Sequence, residues 1–479
     1  MDEELRTRVV RHIMGHFPHQ PTECQEAACR GLAEFLYDGD PYAAFLLKGY
    51  AGTGKTSLVS ALIQSAPGMK IKTVLLAPTG RAAKVLSNYS GKKAYTIHKK
   101  IYTTVTDASG GIHFGLSVNK HSHTLFIVDE ASMIGVEDFA TGHSLLEDLI
   151  DYVTGGKHCR LLLVGDVAQL PPVGQRESPA LDRTYLSSIS PLKVREATLD
   201  EVVRQQQESG ILHNATLLRD RIETMEDGEV VEGRLFELAG FEDIKTMSGE
   251  ELTDSMNGEY GEWGEEGVVL ITRSNKRANL YNQGIRNRVL FREEEVNAGD
   301  LLMVVKNNYY WLDAESEMGF IANGDVVEIQ SARNYEELYG FRFIDATVRF
   351  VDYEEGQTVD CKLLLDTLHS ESPSLTREES MKLWNAVAAD YADITPKSER
   401  LRAIRNNPYL NALQVKFAYS LTCHKTQGGQ WHTVYVEEGY IEEGGKDREW
   451  LRWLYTALTR ATDKVYLLNF EEGLLEDKD

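Results

Sequence analysis

Cysteine is scarce. Five residues in 479 (Cys24, Cys29, Cys159, Cys361 and Cys423) are odd in number and scattered, which excludes a disulfide framework or a zinc ribbon and fits free thiols in a reducing cytoplasm. Histidines at 12, 16 and 19, or at 113, 121 and 123, have no cysteine partners at finger spacing, so no zinc site is expected. Long apolar runs are missing too: nothing approaches the roughly 20 residues that a membrane helix needs. The first residues, Met1-Asp2-Glu3-Glu4, are acidic and lack an apolar run, so no secretory signal is expected. Internal repeats and low-complexity tracts are lacking. Positive charge is in deficit, with 51 basic against 74 acidic residues and a net charge of −23, which argues against a general polyanion binder. The deficit is uneven, however. The block from Glu226 to Glu266 holds 14 acidic and two basic residues, while Lys92-Lys93, Lys99-Lys100 and Arg400 to Arg405 remain as basic clusters. With 42% hydrophobic and 26% charged residues the chain is not disordered, and its length calls for about three domains.

What is present begins at Ala43. Ala43 to Lys48 reads as a short buried strand running into Gly49-Tyr50-Ala51-Gly52-Thr53-Gly54-Lys55-Thr56, which fits GxxxxGK[ST], and an apolar helical stretch from Ser57 to Ile63 follows. A strand, a glycine-rich loop and a helix in this order form a P-loop. Gly49, Gly52, Thr53 and Gly54 turn backbone N–H groups toward phosphates, and Lys55 neutralises their charge. The Thr56 hydroxyl, with Ser57 beside it, stands where Mg²⁺ is held. A second strand, Thr124 to Val128, ends in Asp129-Glu130. An acidic pair at a strand's carboxyl end suits a metal ligand, Asp129, and a residue that polarises water, Glu130. ATP and Mg²⁺ are therefore the expected cofactors.

Further segments follow in order. Arg160 to Val164 is another buried strand, ending in Gly165-Asp166-Val167-Ala168-Gln169-Leu170-Pro171-Pro172-Val173. Later come Tyr419 to Gly428, with Thr422-Cys423-His424-Lys425-Thr426-Gln427-Gly428, and Leu454 to Ala461, with Thr456-Ala457-Leu458-Thr459-Arg460. Together these resemble the motifs of superfamily 1 helicases, in particular the RecD-like branch with its small phage members of the Dda type. The resemblance runs from about Pro21 to Phe470. It implies that Gln25 reads adenine and that Pro78, Thr79 and Arg81, with Thr96 and His98, grip a DNA backbone. It implies that Gln169 senses the γ-phosphate, that Arg204 and Arg460 reach that phosphate across a cleft, that Thr422 and His424 contact DNA, and that Gly428 turns back toward nucleotide. It further implies 5′-to-3′ translocation on single-stranded DNA and unwinding of forked duplex, in replication or repair. A single-strand-binding protein is the implied further partner, and action as a monomer is implied. RNA-directed unwinding, displacement of proteins, or a nucleotide-gated binding module remain alternatives at this point.

The expected fold is α/β, with two RecA-like motor domains and two insertions. The first motor domain spans 1–192 and carries a hairpin of about 102–120, where β-branched and aromatic residues flank a glycine-rich turn. By the resemblance this hairpin is a strand-splitting pin, with Phe114 as the residue that stacks on the last base pair. The second motor domain spans 193–298 and resumes at 412–479, with a helix expected from Asn275 to Phe291. Between its parts, 299–411 forms an insert that resembles an SH3-like barrel followed by a helical extension. Strands are expected at Leu301 to Val305, Asp325 to Ile329, Phe341 to Val351 and Val359 to Leu365, with a turn at Asn323-Gly324-Asp325. The extension runs from Ser374 to Arg405. The acidic block reads as solvated loops with short helices, and Tyr309-Tyr310-Trp311 as strand core or as a base-stacking platform.

Overall fold

The computed structural model of the protein describes residues 3–106, 112–136, 144–203, 208–312, 320–353, 357–442 and 444–475. Its first part contains β1 (Ala43–Gly49), β2 (Lys72–Ala77), β3 (Ala94–Thr96), β4 (Tyr102–Thr106), β5 (Ile112–Leu116), β6 (Thr124–Val128), β7 (Arg160–Gly165) and β8 (Lys193–Leu199). Six of these form a parallel sheet in the order β3-β2-β6-β7-β1-β8. Side chains of a strand alternate between faces, so each buried strand feeds two cores. Phe45 and Leu47 pack with Leu58 and Leu62 on one face, while Ala44 and Leu46 pack with Leu146 and Leu149 on the other. All five residues of β6 are buried, which is why its sequence is a continuous apolar run without alternation.

The first sheet is one strand longer than the expected boundary at 192 allowed. Lys193–Leu199 lies parallel to β1 in register from Ala43↔Lys193 to Gly49↔Leu199. As an edge strand it alternates charge with apolar residues, and that pattern carries no cue to which domain it joins. β4 and β5 pair antiparallel as a separate hairpin, with Thr104 opposite Phe114 and the last pair at Thr106 and Ile112. Phe114 is therefore set back from the end of the paired strands. The turn 107–111 lies outside the described residues.

The second part holds β9 (Ile244–Met247), β10 (Val268–Thr272), β11 (Leu301–Val304), β12 (Val326–Leu338), β13 (Phe341–Phe350), β14 (Thr358–Leu364), β15 (Leu413–Phe417), β16 (Ser420–Thr422), β17 (Trp431–Glu437) and β18 (Ala461–Leu468). A second parallel sheet runs β16-β10-β17-β18-β9. The acidic block is not merely solvated loop: it supplies the edge strand β9 and the helix Leu252–Trp263. Within it Glu259 is buried and accepts hydrogen bonds from Thr433 Oγ1 at 2.6 Å, Tyr466 Oη at 3.0 Å and Lys464 Nζ at 3.1 Å. The expected helix from Asn275 ends at Arg288, and Phe291 beyond it is exposed in a left-handed backbone (φ 52°).

β11 to β15 close into a barrel. The turn at Asn323-Gly324-Asp325 precedes β12, with Gly324 at φ 97°. β12 continues to Leu338, nine residues past the expected end, as a largely exposed polar arm paired with β13. The helices Arg377–Asp390 and Lys397–Arg405 pack Leu383, Val387 and Ile404 on Phe341, Phe343 and Leu364 of the barrel. The closing strand, β15, comes after those helices, so the insert extends to Phe417 and not to 411. Tyr309, Tyr310 and Trp311 lie on no strand; the two tyrosines are about one-third exposed, and Trp311 Nε1 donates to the Asn411 carbonyl at 2.7 Å.

A buried charge cluster fastens the barrel to the second sheet. Asp300 is fully buried and accepts from Arg286 Nε at 3.0 Å and Nη2 at 2.9 Å, from Arg292 Nη1 at 3.2 Å, from the Asn297 N–H at 2.7 Å and from Tyr419 Oη at 3.1 Å. Removing one partner strands the other charges without water. Asp300→Ala is expected to destabilise the chain by about 3–5 kcal/mol. Denaturant unfolding followed by tryptophan fluorescence checks this, and a loss below about 1 kcal/mol contradicts it.

Candidate functional site

The P-loop follows β1 and opens the helix Lys55–Ser65, whose first turn carries Thr56 and Ser57. Helix N-termini offer unpaired N–H donors and a partial positive charge, the conditions for holding phosphate. Gly54 has φ 79°, and a Cβ there would lie 2.3 Å from Gln25 Nε2, so both backbone and space require glycine. Lys55 Nζ donates to the carbonyls of Gly49 and Tyr50, each at 2.8 Å, and lies 3.6 Å from Asp166. Gln25 is fully buried. Its Oε1 accepts from the Thr22 N–H at 3.0 Å, completing a capping box on the helix Glu23–Leu36, and its Nε2 donates to the Thr53 carbonyl at 2.9 Å. In this arrangement the Gln25 amide supports the P-loop from below, with both of its ends already engaged.

Asp129 and Glu130 emerge at the end of β6, beside the P-loop strand's neighbour β7. Asp129 Oδ1 accepts the Glu130 N–H at 2.9 Å, and Oδ2 accepts Tyr89 Oη at 2.7 Å. Glu130 has φ 53°, a left-handed backbone that non-glycine residues seldom adopt and that clusters at functional sites. Burial raises the pKa of its carboxyl, Arg460 opposes that shift, and Asp129 adds to it. Among the described residues no group of three His, Cys, Asp or Glu forms a metal cage. Asp129 with the exposed Thr56 still fits Mg²⁺, an ion that keeps most of its shell as water and substrate phosphate and takes one or two protein oxygens.

The second sheet completes this cleft. The helix Arg448–Leu458 brings Tyr455, whose hydroxyl donates to Asp166 Oδ2 at 2.7 Å and accepts the Ala51 N–H at 2.7 Å. Thr456 Oγ1 accepts the Leu170 N–H at 2.8 Å, and Gln427 Nε2 donates to the Leu170 carbonyl at 2.7 Å. Between these anchors Gln169 is buried, and its Oε1 has no hydrogen-bond partner among the described residues. Arg460 is buried, held by the Thr456 carbonyl at 3.1 Å and the Gly429 carbonyl at 3.3 Å, and its Nη1 stands 3.9 Å from Glu130 Oε1. Val203 N–H donates to the Gly52 carbonyl at 3.0 Å, which brings the chain onto the P-loop one residue before Arg204. Arg204 itself lies outside the described residues.

The strand-contact candidates sit at the carboxyl ends of neighbouring strands. Pro78 and Thr79 follow β2, and Thr96 ends β3, with Ala77 paired to Thr96. Thr79 and Thr96 cap the helices Gly80–Ser90 and Ile97–Ile101 through their hydroxyls. His98 packs against Tyr102, ring centroids 5.6 Å apart. From the second sheet, Thr422 ends β16, and His424 lies in the short helix after it, its pKa lowered by burial. Two placements differ from expectation. Arg81 lays its guanidinium over the Trp431 ring at 4.0 Å, a clasp between the sheets. Gly428, expected beside nucleotide, packs on the other helix: a Cβ there would meet Ala82 Cβ at 2.7 Å, and its φ of 73° also calls for glycine. The side chain of Phe114 is outside the described residues. Sequence reading missed Tyr89, Asp166, Gln427, Tyr455 and Thr456, although Asp166, Gln427, Tyr455 and Thr456 stood inside quoted motifs.

Comparison with known proteins agrees with this geometry. Residues 22–232 match the AAA domain family and residues 417–468 the UvrD-like helicase C-terminal domain, together more than half of the chain. The ATP-dependent RecD2 DNA helicase of Deinococcus radiodurans is 25% identical over 88% of this chain, which spans 46% of that protein's length. The ATP-dependent DNA helicase dda of Enterobacteria phage T4 is 25% identical over 75% of this chain and 82% of its own, and the uncharacterized protein R530 of Acanthamoeba polyphaga mimivirus is 22% identical over 92% and 98%. A Bacteroides Pif1 helicase structure in complex with ADP-AlF3 and ssDNA aligns over 96% of this chain and 95% of its own, with a TM-score of 0.47 at 14% identity. Two parallel sheets with a P-loop between them, an acidic pair at β6 and an arginine supplied from the far sheet are the parts of a helicase motor, and the matched families and relatives make the chain similar to the RecD-like branch of the superfamily 1 helicases.

Proposed function

We propose that the protein is an ATP-dependent DNA helicase that translocates 5′ to 3′ on a single strand and separates forked duplex. The observation that carries the reading is the composite cleft: Lys55, Asp129, Glu130 and Gln169 come from the first sheet, and Arg460 arrives from the second, 3.9 Å from Glu130. Lys55 and the P-loop N–H groups bind and orient the phosphates. Thr56 and Asp129 would hold Mg²⁺, which would supply positive charge against the phosphates. Glu130 takes the proton of the attacking water, and Gln169 orients that water or the phosphate it attacks. Arg460 stabilises charge on the transferred group and, with Arg204, does so only when the sheets are closed. Gln25 would hold the P-loop in shape through its bond to the Thr53 carbonyl.

Motion follows from where the strand-contact segments lie. Pro78, Thr79, Thr96 and His98 move with the first sheet, Thr422 and His424 with the second. Opening and closing over nucleotide therefore changes the spacing of two grips on one strand. The units that move are the motor domains, the first running from the N-terminus through β8 and the second holding β9, β10 and β16 to β18. The barrel, SH3-like by resemblance, and its helices ride on the second. The hairpin of β4 and β5 follows directly after the Thr96–His98 segment, which supports its role as the pin. Direction and preference for DNA over RNA rest on the RecD-like resemblance.

The reading makes three measurable demands. ATP turnover should rise strongly on adding single-stranded DNA; Lys55→Ala should abolish it, and Glu130→Gln should bind nucleotide with near-normal affinity while turnover falls roughly a hundredfold or more. Near-normal turnover in Glu130→Gln removes it from the role of base. With tailed duplexes, a 5′ DNA tail should support separation and a 3′ tail or RNA tracks should not; the reverse preference overturns direction or substrate. Phe114→Ala should slow separation while DNA-stimulated turnover stays near wild type, because base–aromatic stacking of about 1–3 kcal/mol acts at the fork alone. Equal loss of both rates assigns Phe114 to packing.

A further inference from the structure

Tyr455 stands on the helix Arg448–Leu458, five residues before Arg460, with its ring buried in the second sheet's core. Its hydroxyl nevertheless makes both of its hydrogen bonds to the first sheet's loops: it accepts from Ala51, the third residue of the P-loop, and donates to Asp166, each at 2.7 Å. Asp166 is itself buried; its other oxygen accepts the Ala168 N–H at 3.0 Å, and Lys55 Nζ lies 3.6 Å away. A single oxygen thus sets the distance between the P-loop backbone, the loop that carries Gln169, and the helix that leads to Arg460. The bond from Leu170 N–H to Thr456 Oγ1 runs beside it and carries the same helix to the other end of that loop. Burial and the Asp166 charge hold the phenol far above its ordinary pKa, so it remains protonated and a donor to the carboxylate.

We propose that Tyr455 is a positioning residue for hydrolysis, one that transmits docking of the second sheet to Lys55 and Gln169 through Ala51 and Asp166. The proposal rests on the ATP-driven motor reading and names a group through which its two halves are coupled. Tyr455 touches protein groups on both sides of the cleft, so its role lies in arranging the residues that meet nucleotide. Without the hydroxyl, a buried carboxylate oxygen loses its donor and a P-loop N–H loses its acceptor. Ala51 then loses its bond to the helix, and the loop after β7 stays tied to it at its Leu170 end but not at Asp166. Displacement of about an ångström in groups that orient a reaction lowers rate up to a hundredfold.

The test is Tyr455→Phe in the full chain, which keeps the ring and the helix. Its control is Tyr435→Phe, which deletes a buried hydroxyl bonded to Ser255 at 2.7 Å within the second sheet's own core. ATP turnover is measured against ATP concentration, with and without a single-stranded oligonucleotide. Tyr455→Phe should lower kcat in the presence of the strand by roughly ten- to a hundredfold, with KM for ATP within about threefold, and should flatten the stimulation by the strand. Tyr435→Phe should match wild type. An unchanged kcat in Tyr455→Phe overturns the proposal, as does a rise in KM alone, which would make Tyr455 a nucleotide contact, or an equal fall in both variants. A wild-type chain with one turnover rate with and without the strand contradicts the motor reading instead, and the kcat comparison between the two variants still decides the positioning role.

Discussion

The loop after β7 is where the two halves of the molecule are fastened to one another. Asp166 to Leu170 leaves the centre of the first sheet, yet its polar groups are bonded to Tyr455, Thr456 and Gln427 of the second part. Each such bond contributes about 1 kcal/mol net. These three bonds together contribute a few kcal/mol, an amount that differential binding of a nucleotide can shift. Bonds strong enough to lock the sheets would defeat a motor, and absent bonds would leave Arg460 without a defined approach to Glu130. The side-chain oxygen of Gln169, buried between these anchors without a hydrogen-bond partner among the described residues, sits at the point that both sheets control.

A rigid element joins this cleft to the candidate strand path. The helix Gly80–Ser90 is capped by Thr79, a candidate strand contact, and near its far end Tyr89 donates to Asp129, the candidate metal ligand. Gly428 packs so closely on its first turn that a Cβ would collide with Ala82, and Arg81 lies over Trp431. The barrel reaches the same place: Lys84 Nζ donates to the Val351 carbonyl at 2.7 Å, and Lys425 Nζ to Asn323 Oδ1 at 2.8 Å. First sheet, second sheet and barrel thus converge on one helix end. About half of the chain's acidic excess lies in 226–266, away from this helix in sequence, and part of it is consumed in structural bonds such as those of Glu259.

Much of this was legible from sequence because some residue types have one physical use. A glycine-rich loop between a buried strand and a helix, and an Asp-Glu pair after four or more apolar residues, leave few alternatives to a nucleotide site. The barrel strands β11, β13 and β14 fell within a residue or two of expectation, since β13 alternates apolar and polar residues between turn residues and β11 is a short continuous apolar run. Less legible were elements whose role depends on partners distant in the chain. β8 and β9 are edge strands with few buried side chains, and β15 closes the barrel only after two helices intervene. Tyr455 and Tyr89 look like ordinary core aromatics until their hydroxyls are placed against Asp166 and Asp129. Arg81 was assigned to DNA from its motif alone, because nothing local announces that Trp431, 350 positions on, takes its guanidinium.

Under the proposed function the site is complete only when a cation from the second sheet enters it. Arg460→Ala measures this directly, by comparing nucleotide affinity at equilibrium with strand-stimulated turnover on the same preparation. Affinity is expected within a few-fold of wild type and turnover lower by roughly a thousandfold or more, the loss that follows removal of an arginine finger from phosphoryl transfer. Turnover that survives the substitution, or affinity that falls in step with it, would contradict a cleft completed across the two sheets.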